Sequence, residues 1–507
     1  MKCSAKIIII FQIYAIGLVF QSCNPYKKIP EGQYLLTENK VISPKKLLGK
    51  GNYDLLAPEI PSIIKQKPNR KILGVVRFHL WMHLFSQNIK KEKAKNWMNS
   101  IGEIPVLLDS TLTEKSNYQI ALFLNKKGYF NAKVSDSVVI NKKSAKVFYK
   151  IEPEIPYTIR NYIIEVYDER INQLIKENIS NTLIRKGNIY DEDILDKERE
   201  RIVNYLKNVG FFKISLDKFN YVLDSSLNSK QIDVYLKLRH YDANDKLKQY
   251  PQFTVNSVKF LDEFNPRLTN NSFSDTLYYE EIQYLFNKKM RFKRGVINDH
   301  IFIRKGDFYR EKLANETYNK LSGMRLFKYT YIDYESIETD TSALLNVVVS
   351  TFPLNKYSFS AETEGTNRSG ILGVAGVLTE SIKNPFKNAD LLLFRVKVSA
   401  EAASNLNTSN TSQSSFFNTF EIGPEISYEI PKFLLPFKSL QFSKFFNPKT
   451  ILSTSFNIQS IPDLTRNIIN LSLGYSWRES NTKSHFFSPA DLYFVKIEKK
   501  TEFSQFL

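Results

Sequence analysis

The sequence predicts an α+β array of tandem β-α-α-β-β units followed by an antiparallel β region. Two observations carry that expectation. The first is a join, Leu-x-x-x-Gly-aromatic-Phe, running from Leu124 to Phe130 and again from Leu206 to Phe212; a third copy from Leu321 to Phe327 has Arg325 in the glycine position. Each copy ends an amphipathic helical pattern and precedes two strand patterns. The second is a change of period: before Pro353 helical and strand patterns alternate, whereas from Leu354 to Leu507 apolar residues fall at every second position.

The chain has 507 residues, 42% of them hydrophobic, enough for several folded domains. Lys plus Arg number 71 against 52 Asp plus Glu, an excess compatible with an anionic membrane surface, acidic clients or nucleic acid. The sequence has no zinc-finger spacing, no glycine-aromatic RNA-binding signature and no concentrated basic block, so nucleic acid is not expected as a partner. Cys3 and Cys23 are the two cysteines, which leaves no disulfide framework and no cysteine metal site for the folded part. G-x-S-x-G, H-E-x-x-H and phosphate-loop motifs are missing, and the five histidines are scattered. No catalysis and no cofactor are therefore expected.

Met1 to Lys6 is basic, and Ile7 to Phe20 is an apolar run short for a bilayer span but suited to a secretory signal, so residues 1–22 are expected to be a signal peptide. Phe20-Gln-Ser-Cys23 is similar to a lipoprotein signal, in which the cysteine thiol takes diacylglycerol. Phe20 and Gln21 depart from the usual Leu and small residue, so ordinary cleavage near Ser22 stays open. Cys23 is the candidate lipidation site.

Residues 23–156 are expected to hold an N-terminal segment and the first unit. Ile29 to Leu36 reads as a turn feeding a strand. His79 and His83 stand one helical turn apart, a zinc-compatible spacing, but Leu80 occupies the place of a zincin glutamate. Arg77 to Phe85 is therefore read as an aromatic, partly basic stripe packing on the next unit. The helix before Gly128 is expected to turn Tyr118, Ala121, Leu122 and Leu124 inward. Residues 157–239 give the cleanest unit: a strand from Tyr157 to Tyr167, and a helix with Ile194, Leu195, Ile202, Tyr205, Leu206 and Val209 on one stripe and Asp191 as its cap. Gly210 stops that helix, and strands follow from Lys213 to Leu223 and from Gln231 to Arg239.

His240 to Pro251 reads as a linker. Residues 253–353 form the third unit, in which Lys186-Gly187-Asn-Ile-Tyr190 is echoed as Lys305-Gly306-Asp-Phe-Tyr309. An Asn/Ser-rich insertion from Asn265 to Asp275 is expected on the surface. Phe292 to Phe302 is read as a solvated face beside a strand.

In residues 354–507, Phe394, Val396, Val398 and Ala400 alternate with polar residues, as do Leu452 to Ile458 and Ile469 to Trp477. Similar patterns run through Tyr357–Thr363 and Phe420–Ile430. Segments of about ten residues with one apolar face suit a transmembrane barrel strand, though a soluble β-sandwich alternates too. At about 20 residues per strand with its connection, about seven or eight strands are expected.

The repeated order and its join resemble the POTRA domain of outer-membrane assembly proteins. With the β region behind it, and with the wording of Gln66–Gly74 and Arg77–Phe85, the chain resembles a lipoprotein-like branch of the BamA/TamA family. The resemblance implies POTRA repeats followed by an antiparallel transmembrane β-barrel portion. That portion is incomplete: the family's larger barrel does not fit, and its late Arg-Gly-aromatic motif has no counterpart after Pro353, Arg294-Gly295-Val296 lying in the third unit. A C-terminally truncated member, or a half-barrel that needs another chain, is the expectation. The implied partners are unfolded outer-membrane or secreted polypeptide clients, outer-membrane lipid and accessory lipoproteins, and the implied location is the outer membrane with the modules in the periplasm. The competing expectation is a lipid-anchored periplasmic scaffold with a soluble C-terminal β-domain.

Overall fold

A computed structural model describes residues 29–42, 56, 58–72, 74, 76–226, 229–239, 250–268, 272–339, 342–368, 371–402, 417–434, 446–461, 464–480 and 482–499. Residues 1–28, which include Cys23 and the expected signal peptide, and most of residues 240–251 lie outside them. The chain separates into two compact units, residues 1–203 with 215–248 and residues 204–214 with 249–507.

The first unit begins with β1 (Leu35–Ile42), α1 (Ile60–Ile63), α2 (Phe78–Ser86), α3 (Glu92–Ile101) and α4 (Ser110–Lys126), followed by the hairpin β2 (Lys133–Asn141) and β3 (Ser144–Glu152). The sheet order is β1-β3-β2, with β1 parallel to β3 and β2 antiparallel to it. α4 starts at Asp109, whose carboxylate accepts from the Thr111 and Leu112 amides at 2.8 and 3.3 Å. Its inward residues are Thr113, Ser116, Ile120 and Leu124. Tyr118 and Leu122, expected inside, are exposed. The inward stripe is partly polar, Thr113 and Ser116 sharing it with Ile120 and Leu124, and the two apolar members pack with buried Tyr149. Both helix hydroxyls bond back to the preceding turn, to Asp109 O at 3.0 Å and Leu112 O at 2.6 Å. On α2, Leu80 and Leu84 join Ile29 and Leu35 in a cluster of their own module, while Phe78, Trp81 and Phe85 stack on one another at 6.2 and 5.2 Å.

The same topology follows in β4 (Thr158–Glu165), α5 (Glu169–Glu177), α6 (Glu192–Asn208), β5 (Phe219–Asp224) and β6 (Gln231–Leu238), ordered β4-β6-β5 with β4 parallel to β6. Leu195, Ile202 and Leu206 are buried on α6, and Asp191 caps it by accepting from the Asp193 amide at 2.9 Å. Lys213 to Lys218 is not strand; Leu216–Lys218 is a single 3₁₀ turn. Phe211, Ile214 and Phe219 are all buried, a spacing that a period-two strand cannot deliver to one face. Glu198, fully buried on α6, is held below the usual carboxylate range by Arg201, the Leu183 amide and Thr182, against the desolvation that opposes it. It thereby fixes the loop ahead of its own helix.

The second unit builds β7 (Thr254–Asp262), β8 (Asp275–Tyr279), β9 (Ile282–Phe286), α7 (Arg294–Asn298), α8 (Glu311–Gly323), β10 (Phe327–Glu338) and β11 (Ala343–Pro353). The sheet order is β10-β11-β7-β9-β8. Its β10-β11-β7 core repeats the earlier arrangement, but the hairpin β8–β9 is an addition to the expected order, pairing β9 parallel to β7. Phe292, Ile297 and Ile301 belong to the hydrophobic core. The stretch read as a solvated face is therefore a core-filling turn and short helix, whose apolar residues are spaced for neither period. Seven strands then form one antiparallel sheet in sequence order: β12 (Tyr357–Arg368), β13 (Ile371–Lys383), β14 (Leu391–Glu401), β15 (Thr419–Ile430), β16 (Lys449–Ser460), β17 (Leu464–Arg478) and β18 (Ser484–Lys499). Among the described residues β12 and β18 each pair on one side only, so no closed barrel is formed. Among the same residues no helix is long and apolar enough to cross a membrane.

Candidate joints, sheet edges and membrane-facing surface

The repeated join is a socket. Gly128 adopts φ +86°, and a Cβ there would lie 2.6 Å from the Tyr190 carbonyl oxygen, so both conformation and space demand glycine. Its carbonyl accepts from the Tyr157 amide at 2.8 Å. Phe130 then inserts between Tyr157 and Tyr190, with centroids 5.1 and 5.2 Å away. Lys127 completes the joint with Asp191 at 3.0 Å and Asp193 at 2.7 Å, and its ammonium holds the Asp193 carboxyl below the usual range. In the second unit the pieces repeat. Gly210 has φ +112°, its carbonyl accepts from the Phe253 amide at 2.9 Å, and Phe212 meets Phe253, Tyr309 and Tyr334 at 5.6, 5.0 and 5.1 Å. Lys207 pairs with Glu311 at 2.7 Å. At the third join Arg325 itself takes the left-handed conformation at φ +56°.

Each three-stranded sheet leaves an edge open. β2 is exposed along almost its whole length, including Val138, Val139 and Ile140, and β5 is shorter with Val222 and Leu223 exposed. A free edge presents unpaired amides and carbonyls to any extended chain, independent of its sequence.

The seven-stranded sheet separates its faces by chemistry. On one face Phe394, Ile426, Thr454, Leu471 and Leu492 stand opposite one another across five strands, and all but the threonine are large, exposed hydrophobics. The other face is laced by polar pairs: Arg395 with Glu425 at 3.2 Å, Lys397 with Glu364 at 3.3 Å, Ser453 with Ser472 at 2.7 Å and Asn470 with Asp491 at 2.6 Å. Asn457 also bonds to Glu421. β18 departs from the pattern, since Tyr493, Val495 and Ile497 add exposed apolar side chains to the polar face. Tyr475 is buried, donating its hydroxyl to Leu434 O at 2.8 Å, and Trp477 stacks on His485 at 5.0 Å.

Within the second unit the sheet is fastened to the third module. The β13–β14 turn gives the Lys387 carbonyl to the Lys293 amide at 2.9 Å, the Asn384 amide group to Arg291 O at 2.9 Å and the Lys387 ammonium to Met290 O at 3.0 Å. Ala389 of that turn lies in the module's core. Lys320 on α8 bonds to Asn447 ahead of β16, and burial lowers its pKa to about 8.

Of the candidate site residues, Cys23 lies outside the described residues. His79 and His83 are not turned to a common ligand: His79 Nδ1 lies 2.9 Å from Ile101 O, and the His83 backbone packs on Gly102. Among the described residues no group of three or more His, Cys, Asp or Glu is placed to hold a metal. The sequence reading missed the third-module clamp, whose signal was only a polar turn between two strands, and Gly102, whose need for closeness appears only in the helix crossing.

No family model matches the sequence, and no curated protein matches it. Solved structures do. They include Haemophilus influenzae BamA POTRA3-5, at 14% identity and TM-score 0.31, covering 64% of this chain and 99% of that one. BamA from Haemophilus ducreyi lacking POTRA domains 1-3 gives 10% identity and TM-score 0.38, over 65% of this chain and 49% of that one. CdiB from Acinetobacter baumannii gives 11% and 0.24, over 67% and 64%. These neighbours are of the BamA/Omp85 type that the sequence resembles.

Proposed function

We propose that the chain is a non-catalytic outer-membrane assembly or translocation factor, in which residues 23–156, 157–239 and 253–353 are periplasmic modules and residues 354–507 the membrane part. The single observation that carries this reading is the sorting of the seven-stranded sheet into an exposed apolar face and a cross-linked polar face. A soluble sheet buries its apolar face, whereas lipid accepts one that stays exposed to solvent in the free chain. Clients are unfolded outer-membrane or secreted polypeptides, taken as an added strand on edges such as β2 by main-chain hydrogen bonds. Accessory lipoproteins are the proposed partners, and Cys23, lipidated after removal of residues 1–22, the proposed anchor.

Cysteine labelling tests the reading. A lipid-soluble maleimide should favour Leu471→Cys and a water-soluble one Ser472→Cys in the membrane-assembled chain. If residues 354–507 stay soluble without detergent and neither position meets lipid, the scaffold with a soluble β-domain replaces it. Mass spectrometry of the mature N-terminus tests Cys23; an unmodified peptide beginning there removes the anchor.

A further inference from the structure

We infer that the helical hairpin α2–α3 of the first module is a membrane-docking element that lies on an anionic phospholipid surface. The hairpin is an insertion between β1 and α4, and its two helices are used unequally. α2 buries Leu80 and Leu84 in its own module, while α3 buries no residue at all. Trp97 is 60% exposed, Ile104 72%, and Ile72 and Val76 43% and 44%. Asn69 donates to Ile104 O at 2.8 Å and Arg70 pairs with Glu103, which brings the bridged pair Ile72 and Val76 toward Ile104, and Trp97 stands on α3, the helix that leads into Glu103 and Ile104.

The charge there is predominantly basic. From Lys65 to Ile104 nine Lys or Arg face two acids, Glu92 and Glu103, the second of them paired with Arg70. Lys90, Lys91, Lys93 and Lys95 make no ion pair among the described residues. Lys93 and Trp97 are spaced to share one face of α3. Indole at the level of the headgroups and ammonium groups attracted to anionic lipid are the two contributions that hold an interfacial helix. An acidic protein would satisfy the lysines but leave Trp97 and Ile104 without an apolar counterpart.

A tether adds to this. Ile29, buried against Leu80 and Leu84, follows Cys23 by six residues, so an acyl group on that cysteine would keep the hairpin within about 20 Å of the bilayer. This last step rests on the proposed lipidation; the charge and the aromatic surface do not.

A nitroxide at Trp97→Cys in the full chain, bound to vesicles, reports its relative accessibility to oxygen and to a water-soluble nickel chelate. Oxygen should dominate in phosphatidylethanolamine vesicles containing phosphatidylglycerol, and nickel in neutral phosphatidylcholine vesicles. Lys93→Glu with Lys95→Glu should return the label to water in the anionic vesicles, while a label at Tyr118→Cys on α4 stays in water throughout. A label at 97 that favours nickel in the anionic vesicles overturns the inference, and so does immersion that survives the two charge reversals. The anchor is read separately from the mass of the N-terminal peptide. A lipidated chain with position 97 in water overturns the docking and leaves the anchor standing; a Cys23→Ser chain with position 97 immersed supports docking without it.

Discussion

The β-α-α-β-β modules and the seven-stranded sheet use the same alternation of apolar and polar residues with opposite results. In β3 the apolar set Ala145, Val147, Tyr149 and Ile151 is wholly buried under α4, whereas in β14 Phe394, Val396 and Val398 remain exposed. The difference is what covers the face. A module brings its own helices; among the described residues the sheet brings none, and its polar face is the one that is internally bonded. Period two thus specifies a strand with two unlike faces, and the solvent for the apolar one has to come from elsewhere.

The largest expected effect comes from the buried side of that comparison. Leu206 on α6 is fully buried, so Leu206→Ala should lower stability by about 2–5 kcal/mol, read by denaturant unfolding of the modules. A change below about 0.5 kcal/mol would mean the helix face is misassigned. On the exposed side, Leu471→Arg should cost about 2–4 kcal/mol and block membrane assembly, while Ser472→Arg, one residue along and on the polar face, should not. Heat-modifiable gel mobility reads both. Equal tolerance of the two substitutions would break the contrast between faces.

Asp262 sharpens the comparison inside a module. It is buried at the end of β7, and burial pushes its pKa up to about 6 despite the opposing pull of Arg291. The folded state therefore holds a proton that the unfolded state releases near its ordinary value. The associated stability is full below about pH 4 and is lost as pH rises through about 6, and the loss reaches about 3 kcal/mol at neutral pH. Asp262→Asn should stabilise the third module at pH 7.5 and flatten its dependence between pH 4 and 7, measured by thermal unfolding across that range. An unchanged slope would mean that the carboxylate is solvated. The smallest effect is expected at the joint: Gly210→Ala should cost about 1–2 kcal/mol from its left-handed backbone, with Gly128→Ala costing more because its Cβ would also meet the Tyr190 carbonyl. Arg325→Gly should act in the stabilising direction, since arginine already occupies φ +56° there. Hydrogen exchange at the Tyr157 and Phe253 amides reads the joints individually.

The local features were legible in the sequence by themselves. Helix α6, its Asp191 cap and its Gly210 stop follow from a 3.6-residue stripe and cap chemistry, and the sheet face of Ile469 and Leu471 follows from period two. Those signals are local, because helix periodicity, capping and strand alternation are properties of neighbouring residues. Only the tertiary structure decided the rest. Tyr118 and Leu122 turned outward because the side of α4 that packs on Val147, Tyr149 and Ile151 is the one that carries Ile120 and Leu124, and Tyr118 and Leu122 stand away from it. The hairpin β8–β9 exists because β7 offers an edge for β9 to pair with, and β5 starts late because Phe211, Ile214 and Phe219 must each reach the core. The clamp of the β13–β14 turn on Met290, Arg291 and Lys293 joins segments some ninety residues apart. Such choices depend on which distant groups compete for the same buried volume and hydrogen bonds, and no window of the sequence contains both competitors.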